Sequence, residues 1–148
     1  AVRLRNDPHR EVRIRVAQRI DAAELASLAR DPDYQVRAIV ARRAPEGLLT
    51  LLMHDADLQV RQEVARRIPM PALWRLVSDA APEVRRIVAE RLPVSLLDAL
   101  AADADWTVRW EAAGRAERAA LERLLNDAEP EVRERARERL DAKEPVHG

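Results

Sequence analysis

Apolar and charged residues recur along this chain in a fixed order, with a period of 24 residues. Each unit opens with an aspartate, places Val and Arg at its sixth and seventh positions and another Arg at its thirteenth, and has Leu at positions nineteen and twenty-two of each complete unit. The units begin at Asp7, Asp31, Asp55, Asp79, Asp103 and Asp127. Residues 1–6 form a partial unit, in which Leu4 falls at the same phase as the later leucines. Such repetition indicates a solenoid, in which one small unit is stacked in series.

The first half of each unit has the apolar spacing of an α-helix. Val36, Val40 and Ala44, at positions six, ten and fourteen, lie four residues apart and form one stripe on a helix. Position eleven, at the edge of this stripe, is alanine in five units and Arg137 in the sixth. We expect the alanines to allow close approach of neighbouring helices. Residues 127–140 therefore read as a polar cap at the end of the repeat array.

Proline and aspartate mark where each helix should begin and end. Asp7 and Asp31 are each followed by Pro, which predicts an N-cap with proline at the first helical position. Pro45 at position fifteen ends the helix, because the residue before proline is driven out of helical geometry. The rest of each unit is long enough only for a short second helix, of the 3₁₀ type. We expect residues 141–148, which carry no periodic signal, to be a frayed tail.

The repeat pattern DxxxxVRxxVAxRxPxxLLxxL resembles the leucine-rich repeat variant family. The resemblance is carried in the second unit by Asp31, Val36, Arg37, Val40, Ala41, Arg43, Pro45, Leu48, Leu49 and Leu52. Tetratricopeptide, ankyrin, HEAT and armadillo repeats are longer, and ordinary leucine-rich repeats need a strand segment that no unit contains. The resemblance implies an all-α fold: a right-handed superhelical solenoid of six repeats, each an α-helix plus a short 3₁₀-type helix, without a β-sheet.

The resemblance also implies an iron–sulfur cluster on a group of cysteines upstream of the repeats, in redox or nitrogen-fixation physiology. This chain has no cysteine, so it cannot itself hold such a cluster. Because it begins at Ala1 in mid-repeat, without an initiator Met, we interpret residues 1–148 as a single repeat domain from which an upstream domain was removed. A natural relative that lacks the cluster domain is the alternative.

Composition narrows the class of protein further. Hydrophobic residues make up 47% of the chain and the formal net charge is zero, so we expect a folded domain. No apolar run is long enough to span a membrane, and no signal peptide is recognisable. We therefore expect a cytoplasmic protein without a membrane partner. Arginine supplies all the basic residues except Lys143, a bias associated with bacterial genomes rich in G and C.

The recurrent arginines at positions seven and thirteen have two interpretations. They could be ladders that bind phosphate or acidic partners, or they could bind the recurrent aspartates and the carbonyls at helix ends. We favour the structural interpretation, because these arginines recur with the aspartates in every unit and so follow the fold.

No arrangement of residues suggests catalysis or a small-molecule substrate. His9, His54 and His147 lie at three different phases of the repeat and have no ligand spacing, so we expect exposed loop or tail histidines. No serine lies in a GxSxG motif, and the three glycines of the chain cannot build a phosphate-binding loop. We therefore predict a protein that is not an enzyme and holds no cofactor or metal.

Two surfaces remain as candidates for binding a partner. Trp106 and Trp110 lie one helical turn apart and could anchor a protein partner, which is the function we favour. Packing of Trp106 between repeats, with Trp110 covering its edge, is the structural alternative. The alternative function is nucleic-acid binding through a local arginine stripe that contains Arg42, Arg66 and Arg86.

Charge also differs between the two halves of the chain. The net charge is +4 up to Ser78 and −4 after it. Such a dipolar rod could steer a partner or seat another domain, whereas drift among solvated surface residues is the simpler explanation.

Overall fold

The computed structural model describes residues 4–143, and every regular element within them is a helix. The α-helices are α1 (Arg10–Arg19), α2 (Tyr34–Arg43), α3 (Leu58–Arg67), α4 (Ala72–Arg75), α5 (Pro82–Arg91), α6 (Asp98–Ala101), α7 (Trp106–Ala113), α8 (Arg118–Leu124) and α9 (Pro130–Lys143). The 3₁₀ helices are η1 (Leu4–Asn6), η2 (Ala22–Leu28), η3 (Glu46–Leu52), η4 (Leu76–Ser78) and η5 (Val94–Leu96). The predicted all-α class and the alternation of α and 3₁₀ helices are confirmed.

The chain divides into two compact units, unit 1 (Ala1–Leu73) and unit 2 (Trp74–Gly148). In unit 1, α2 packs against α1 on one side and against α3 on the other. In unit 2, α7 packs in the same way against α5 and α9. Each unit is therefore a stack of parallel layers in which one long helix per repeat contacts the next.

The long helices begin two residues later than the sequence pattern predicts. α2 begins at Tyr34, and its N-cap is Asp33, whose carboxylate accepts the N–H two residues further on at 2.8 Å. The prediction that Asp31 is the N-cap is wrong, because its carboxylate accepts the N–H of Asp33 at 2.9 Å in a turn that precedes the helix. The prediction for Asp7 is wrong for the same reason, since α1 begins at Arg10.

The predicted helix ends agree with the structure in the repeats that carry a proline at position fifteen. Ala44, which precedes Pro45, is extended with ψ 150° and closes α2. α9 differs, because it continues to Lys143, three residues past the predicted boundary at residue 140. The rest of the predicted tail, residues 144–148, lies outside the described residues.

The short second helix varies among the repeats. η2 and η3 are 3₁₀ helices of seven residues each, as the spacing of their leucines predicts. α8 occupies the same place in the fifth repeat and is an α-helix of seven residues. Both forms turn the same two leucine positions towards the core, and Leu25, Leu49 and Leu121 are fully buried.

The core lies between the long helix and the short helix of each repeat. Val36, Val40 and Leu49 have no exposed surface, and burial of each such side chain contributes about 2 kcal/mol. Ala41, at position eleven, is also fully buried, as the close approach of neighbouring helices requires. Ile39, at position nine, is only 6% exposed, although the stripe pattern did not include it.

Candidate partner-binding surface

The arginine at position seven of one repeat binds the aspartate that opens the next repeat. Its Nε and Nη2 donate to the two carboxylate oxygens, a bidentate geometry that is stronger than a single hydrogen bond. The pairs, with their Nε–Oδ2 distances, are Arg13–Asp31 (2.9 Å), Arg37–Asp55 (2.8 Å), Arg85–Asp103 (2.8 Å) and Arg109–Asp127 (2.7 Å). We call these four pairs the spine. Their carboxylates are almost entirely shielded from solvent, so the pairs are more than surface ion pairs.

The third donor of each spine arginine binds backbone. Arg37 Nη1 donates to the carbonyl of Asp31, the first residue of its own repeat, at 2.7 Å. The Asp31 carboxylate in turn accepts from Arg13, so each repeat is tied to the repeat before it and to the repeat after it. The Arg37 guanidinium is thus held in place by a backbone carbonyl as well as by the Asp55 carboxylate.

The arginine at position thirteen binds the C-terminal end of the preceding long helix. Arg67 donates to the carbonyls of Ala41 and Ala44, both at 2.7 Å. The Ala41 carbonyl has no partner within α2, because the residue four positions later is Pro45, which lacks an N–H. The structural interpretation of the recurrent arginines is therefore confirmed for these contacts.

Several aspartates next to these contacts have lowered pKa values, among them Asp105, Asp33 and Asp127. Hydrogen bonds from the hydroxyl and N–H of Thr107 lower the pKa of Asp105. The guanidinium of Arg10 lowers the pKa of Asp33. Burial alone raises the pKa of Asp127, but the hydrogen bonds and charges of Arg109 and its neighbours outweigh this and lower it from 3.8.

These lowered pKa values predict loss of stability in acid. A carboxyl group with a lower pKa in the folded chain than in the unfolded chain stabilises the fold above its unfolded pKa, and this contribution is lost as the pH falls through the folded value. We expect the urea midpoint to fall steeply as the pH drops below 3.8. Asp127→Asn should be less stable at neutral pH and should show a flatter dependence in acid; an unchanged slope would contradict this.

The structure brings two of the predicted basic residues together. Arg42 Nε lies 3.4 Å from Glu63 Oε1, and Arg66 Nη1 lies 3.5 Å from the same oxygen. The two arginine side chains are 52% and 53% exposed, whereas Glu63 is mostly buried. One carboxylate thus partly neutralises two guanidinium groups, which remain accessible on unit 1.

Arg86, the third predicted basic residue, lies in unit 2. Its Nη2 is 3.3 Å from Glu111 Oε1. Each arginine of the proposed stripe therefore has an acidic neighbour at position nine of a repeat. That pairing weakens the local positive potential on which nucleic-acid binding would depend.

The two tryptophans have different surroundings. Trp106, the first residue of α7, is 38% exposed and is not enclosed between repeats. Trp110 is half-buried beneath Arg135, whose guanidinium carbon lies 3.6 Å from the centre of an indole ring. Arg135 also donates to the Trp110 carbonyl at 3.1 Å. The ring contact and the hydrogen bond hold Arg135 over Trp110, so Trp106 is the more accessible of the two tryptophans.

Sequence reasoning missed the contribution of Arg135. It fits over Trp110 because Gly114 has no side chain, and a Cβ atom there would clash with the guanidinium of Arg135. The signal was the glycine at position twelve, where other repeats carry larger side chains. This glycine predicts the position of Arg135 only once it is known that position nine of one repeat faces positions eight and twelve of the repeat before it.

The residues that differ among repeats lie at five positions of the long helices; most of them are exposed or half-buried, whereas Ala38, Ile39 and Ile87 are buried. We call positions four, five, eight, nine and twelve the variable face. In unit 1 it forms an open cleft of about 470 Å³, whose lining includes Tyr34, Gln59, Gln62, Glu63 and Arg66. In unit 2 it forms a cleft of about 370 Å³ lined by Trp110, Glu131, Glu134, Arg135 and Glu138. The face is rich in amides and arginine in unit 1 and acidic in unit 2.

Histidines and metal ligands add no site in the described part of the chain. The exposed His9 lies with Nδ1 3.1 Å from the Asp7 carboxylate, and His54 is exposed, as predicted. The prediction for His147 falls outside the described residues. Between residues 4 and 143 no three histidine or carboxylate side chains are grouped as metal ligands, and no helix is long and apolar enough to cross a bilayer.

Known proteins share the repeat pattern and the fold of this chain. A family model of the leucine-rich repeat variant matches residues 34–57 and 82–105. A solved structure, described as "a leucine-rich repeat variant with a novel repetitive protein structural motif", is 46% identical over 92% of this chain, with a TM-score of 0.87. The chain belongs to the leucine-rich repeat variant family. No curated protein matches it significantly.

The matched segments show how the leucine-rich repeat variant unit relates to the spine. Each segment begins at position four of one repeat and ends at position three of the next, so it contains both the arginine at position seven and the aspartate that this arginine binds. This leucine-rich repeat variant chain covers 58% of the length of the solved relative. The shared fold is the alternating α and 3₁₀ solenoid described above.

Proposed function

We propose that this chain is a repeat scaffold that binds a protein partner through its variable face. The proposal is supported by a difference between two sets of repeat positions, those of the spine and those of the variable face. The recurrent Arg and Asp side chains of the spine are used within the fold, whereas the accessible side chains change from repeat to repeat. A fixed frame with variable exposed residues is the way in which solenoid proteins present a binding surface.

Trp106 is the residue we expect to contribute most to binding. Tryptophan is enriched among the few residues that dominate interface energetics, because a large apolar surface is removed from water at little entropic cost. Trp106 lies at the start of α7, where the backbone is held by Asp105, and its ring is accessible. The supporting residues on unit 2 are Trp110 and the Arg135 stacked on it.

A matched pair of variants tests this role. Trp106→Ala should weaken binding of a captured partner by at least ~30-fold, which corresponds to about 2 kcal/mol for an interface hot spot. Val94→Ala removes a side chain with the same 38% exposure from the same unit and should leave binding unchanged. Affinity is measured by calorimetry or surface plasmon resonance, and circular dichroism checks folding. Equal effects of the two variants would contradict the proposal.

Nucleic-acid binding is the competing function, and a retention experiment distinguishes it from protein binding. Arg42 and Arg66 are accessible, but both neighbour Glu63, and Arg86 neighbours Glu111. Retention of mixed DNA and RNA is measured at low and at moderate salt, with wild type and with the Arg42→Gln, Arg66→Gln double variant. We expect no retention that depends on salt or on these arginines. Retention that falls with salt and disappears in the double variant would favour nucleic-acid binding.

An iron–sulfur cluster does not fit the residues of this chain. Cluster ligands are typically cysteine thiolates, and the sequence contains none. The described residues also hold no group of three metal ligands. Any association with such a cluster would involve a cysteine-bearing segment outside residues 1–148, and the sequence that precedes Ala1 in the gene tests this directly. We propose no catalytic or redox step in the repeats themselves.

A further inference from the structure

Two arginines near the ends of their helices in unit 1 are accessible, and the repeat pattern does not require them. Arg42 and Arg66 occupy position twelve of the second and third repeats, and each of these repeats is preceded and followed by another. The other repeats carry different residues at this position, namely Gln18, Glu90, Gly114 and Glu138. Unlike the spine arginines, this pair therefore does not follow the fold from repeat to repeat.

One carboxylate lies between the two guanidinium groups. Glu63 Oε1 is 3.4 Å from Arg42 Nε and 3.5 Å from Arg66 Nη1. The Glu63 side chain is 16% exposed, whereas both arginine side chains are more than half exposed. Within residues 4–143 neither arginine has another hydrogen bond or ion pair, so most of the five N–H groups of each guanidinium are available to a ligand. Two guanidinium groups and one carboxylate leave a net charge of +1.

The neighbouring arginines at position thirteen already bind the helix ends. Arg67 donates to the carbonyls of Ala41 and Ala44, and Arg43 makes the same kind of contact with the carbonyls at the end of α1. The last carbonyls of α1 and α2 therefore have their donors without the residues at position twelve. Position thirteen thus serves the helix ends, and position twelve is left for the surface.

The open cleft of about 470 Å³ on unit 1 leads to this arginine pair. Arg66 lines one end of the cleft, and the amide side chains of Gln59 and Gln62 lie along α3. Tyr34, the first residue of α2, is 38% exposed and lines the other end. The rise of an α-helix places Arg66 about 12 Å from Leu58, the first residue of α3, which is the length of about four residues of extended peptide.

Charge is distributed unevenly along the cleft. Asp57, which also lines it, lies at the N-terminal end of α3, where its Oδ1 accepts the N–H of Val60 at 3.1 Å. This aspartate is about 13 Å along the helix from Arg66. A nucleic-acid strand has a phosphate at every nucleotide and would bring negative charge to Asp57 as well as to the arginines. A peptide can carry carboxylates at one end and neutral side chains at the other, so it fits this distribution better.

We propose that the cleft binds an extended acidic segment of the protein partner. Two carboxylate side chains of the segment accept from Arg42 and Arg66, because hydrogen bonds between guanidinium and carboxylate groups are short and strong. The amides of Gln59 and Gln62 bind the backbone of the segment, and an apolar side chain packs on Tyr34. The inference rests on the proposed function, since it assigns the chemistry that the unit 1 part of the variable face recognises.

A short peptide of defined charge tests the proposal. Acetyl-Leu-Gln-Glu-Glu-amide carries two side-chain carboxylates and no other charge, and it is titrated at millimolar concentration into the ¹⁵N-labelled chain. We expect saturable shifts of the Nε–H signals of Arg42 and Arg66 and of the backbone amides of α2 and α3. The Arg42→Gln, Arg66→Gln double variant should bind at least ~10-fold more weakly, because hydrogen bonds to charged groups are lost. The same peptide with glutamine in place of both glutamates should bind the wild type just as weakly.

Arg30→Gln is the matched control variant. Arg30 is exposed in the turn that follows η2, outside the lining of the cleft. This variant removes a positive charge from the same unit, so it should bind the acidic peptide with the affinity of the wild type. Circular dichroism checks that all the variants are folded.

Absence of saturable shifts would overturn the proposal, and so would equal affinities of the wild type and the folded double variant. A tetrathymidylate that displaces the peptide at a lower concentration would assign the arginine pair to nucleic acid instead. A chain that does not bind the peptide, but whose captured partner is lost in Trp106→Ala, contradicts this inference alone. A chain that binds the peptide but captures no protein partner contradicts the proposed function.

Discussion

Replacement of Arg37 by alanine is expected to lower the free energy of unfolding by about 3 kcal/mol, as found when one partner of a buried ion pair is removed. Arg37 holds the Asp55 carboxylate through two donors and the Asp31 carbonyl through the third. The variant leaves Asp55, whose side chain is 8% exposed, without its cation. Urea unfolding followed by circular dichroism measures the loss.

The matched control is Arg42→Ala in the same helix. Arg42 is exposed and pairs with Glu63 at 3.4 Å, so its removal should change the free energy of unfolding by less than about 0.5 kcal/mol. Similar losses of unfolding free energy in the two variants would mean that burial of the spine ion pairs adds nothing to stability. The structural role of the recurrent arginines would then have to be abandoned.

Ala41→Arg is expected to unfold unit 1 or to destabilise it by more than about 4 kcal/mol, because it buries an unpaired charge in a packed layer. Ala41 has no exposed surface, and its carbonyl already accepts a hydrogen bond from Arg67. The new guanidinium would therefore meet both a steric clash and a like charge. Thermal unfolding followed by circular dichroism at the helix band measures the effect.

Arg137→Ala makes the opposite change at the same repeat position. Arg137 is exposed in the last repeat, so this variant should keep the stability of the wild type within about 0.5 kcal/mol. The contrast between the two variants tests whether position eleven faces a neighbouring layer in internal repeats. A stable Ala41→Arg chain would show that the layers are not closely packed there.

Much of the fold could be predicted from the sequence because the same local signals for helices and for the core occur in every repeat. The spacing of Val36 and Val40 gives a helix, Pro45 ends it, and Leu49 supplies the core of the short helix. The same rules misplace the N-cap, because Asp31 and Asp33 are both good capping residues. Only the structure shows that Asp31 is engaged by Arg13 and by its own turn.

The candidate surface was harder to predict, because it depends on which positions of adjacent repeats face each other. Trp106 and Trp110 have similar spacing from the core stripe, yet Arg135 covers only the second. Ile39 at position nine is buried although it does not belong to the stripe formed by positions six, ten and fourteen. The periodicity within one repeat does not show which positions of adjacent repeats face each other. The structure of one pair of adjacent repeats shows which positions do so in the other pairs.

We infer that the recurrent arginines and aspartates hold adjacent repeats together and are not a ligand site. A double-mutant cycle on Arg85 and Asp103, whose Nε–Oδ2 distance is 2.8 Å, tests it most directly. We predict a coupling free energy of at least ~1.5 kcal/mol for this pair. The exposed pair Arg118–Glu122 should give less than ~0.5 kcal/mol. A coupling for Arg85 and Asp103 as small as that of the exposed pair would contradict the structural role of the recurrent arginines.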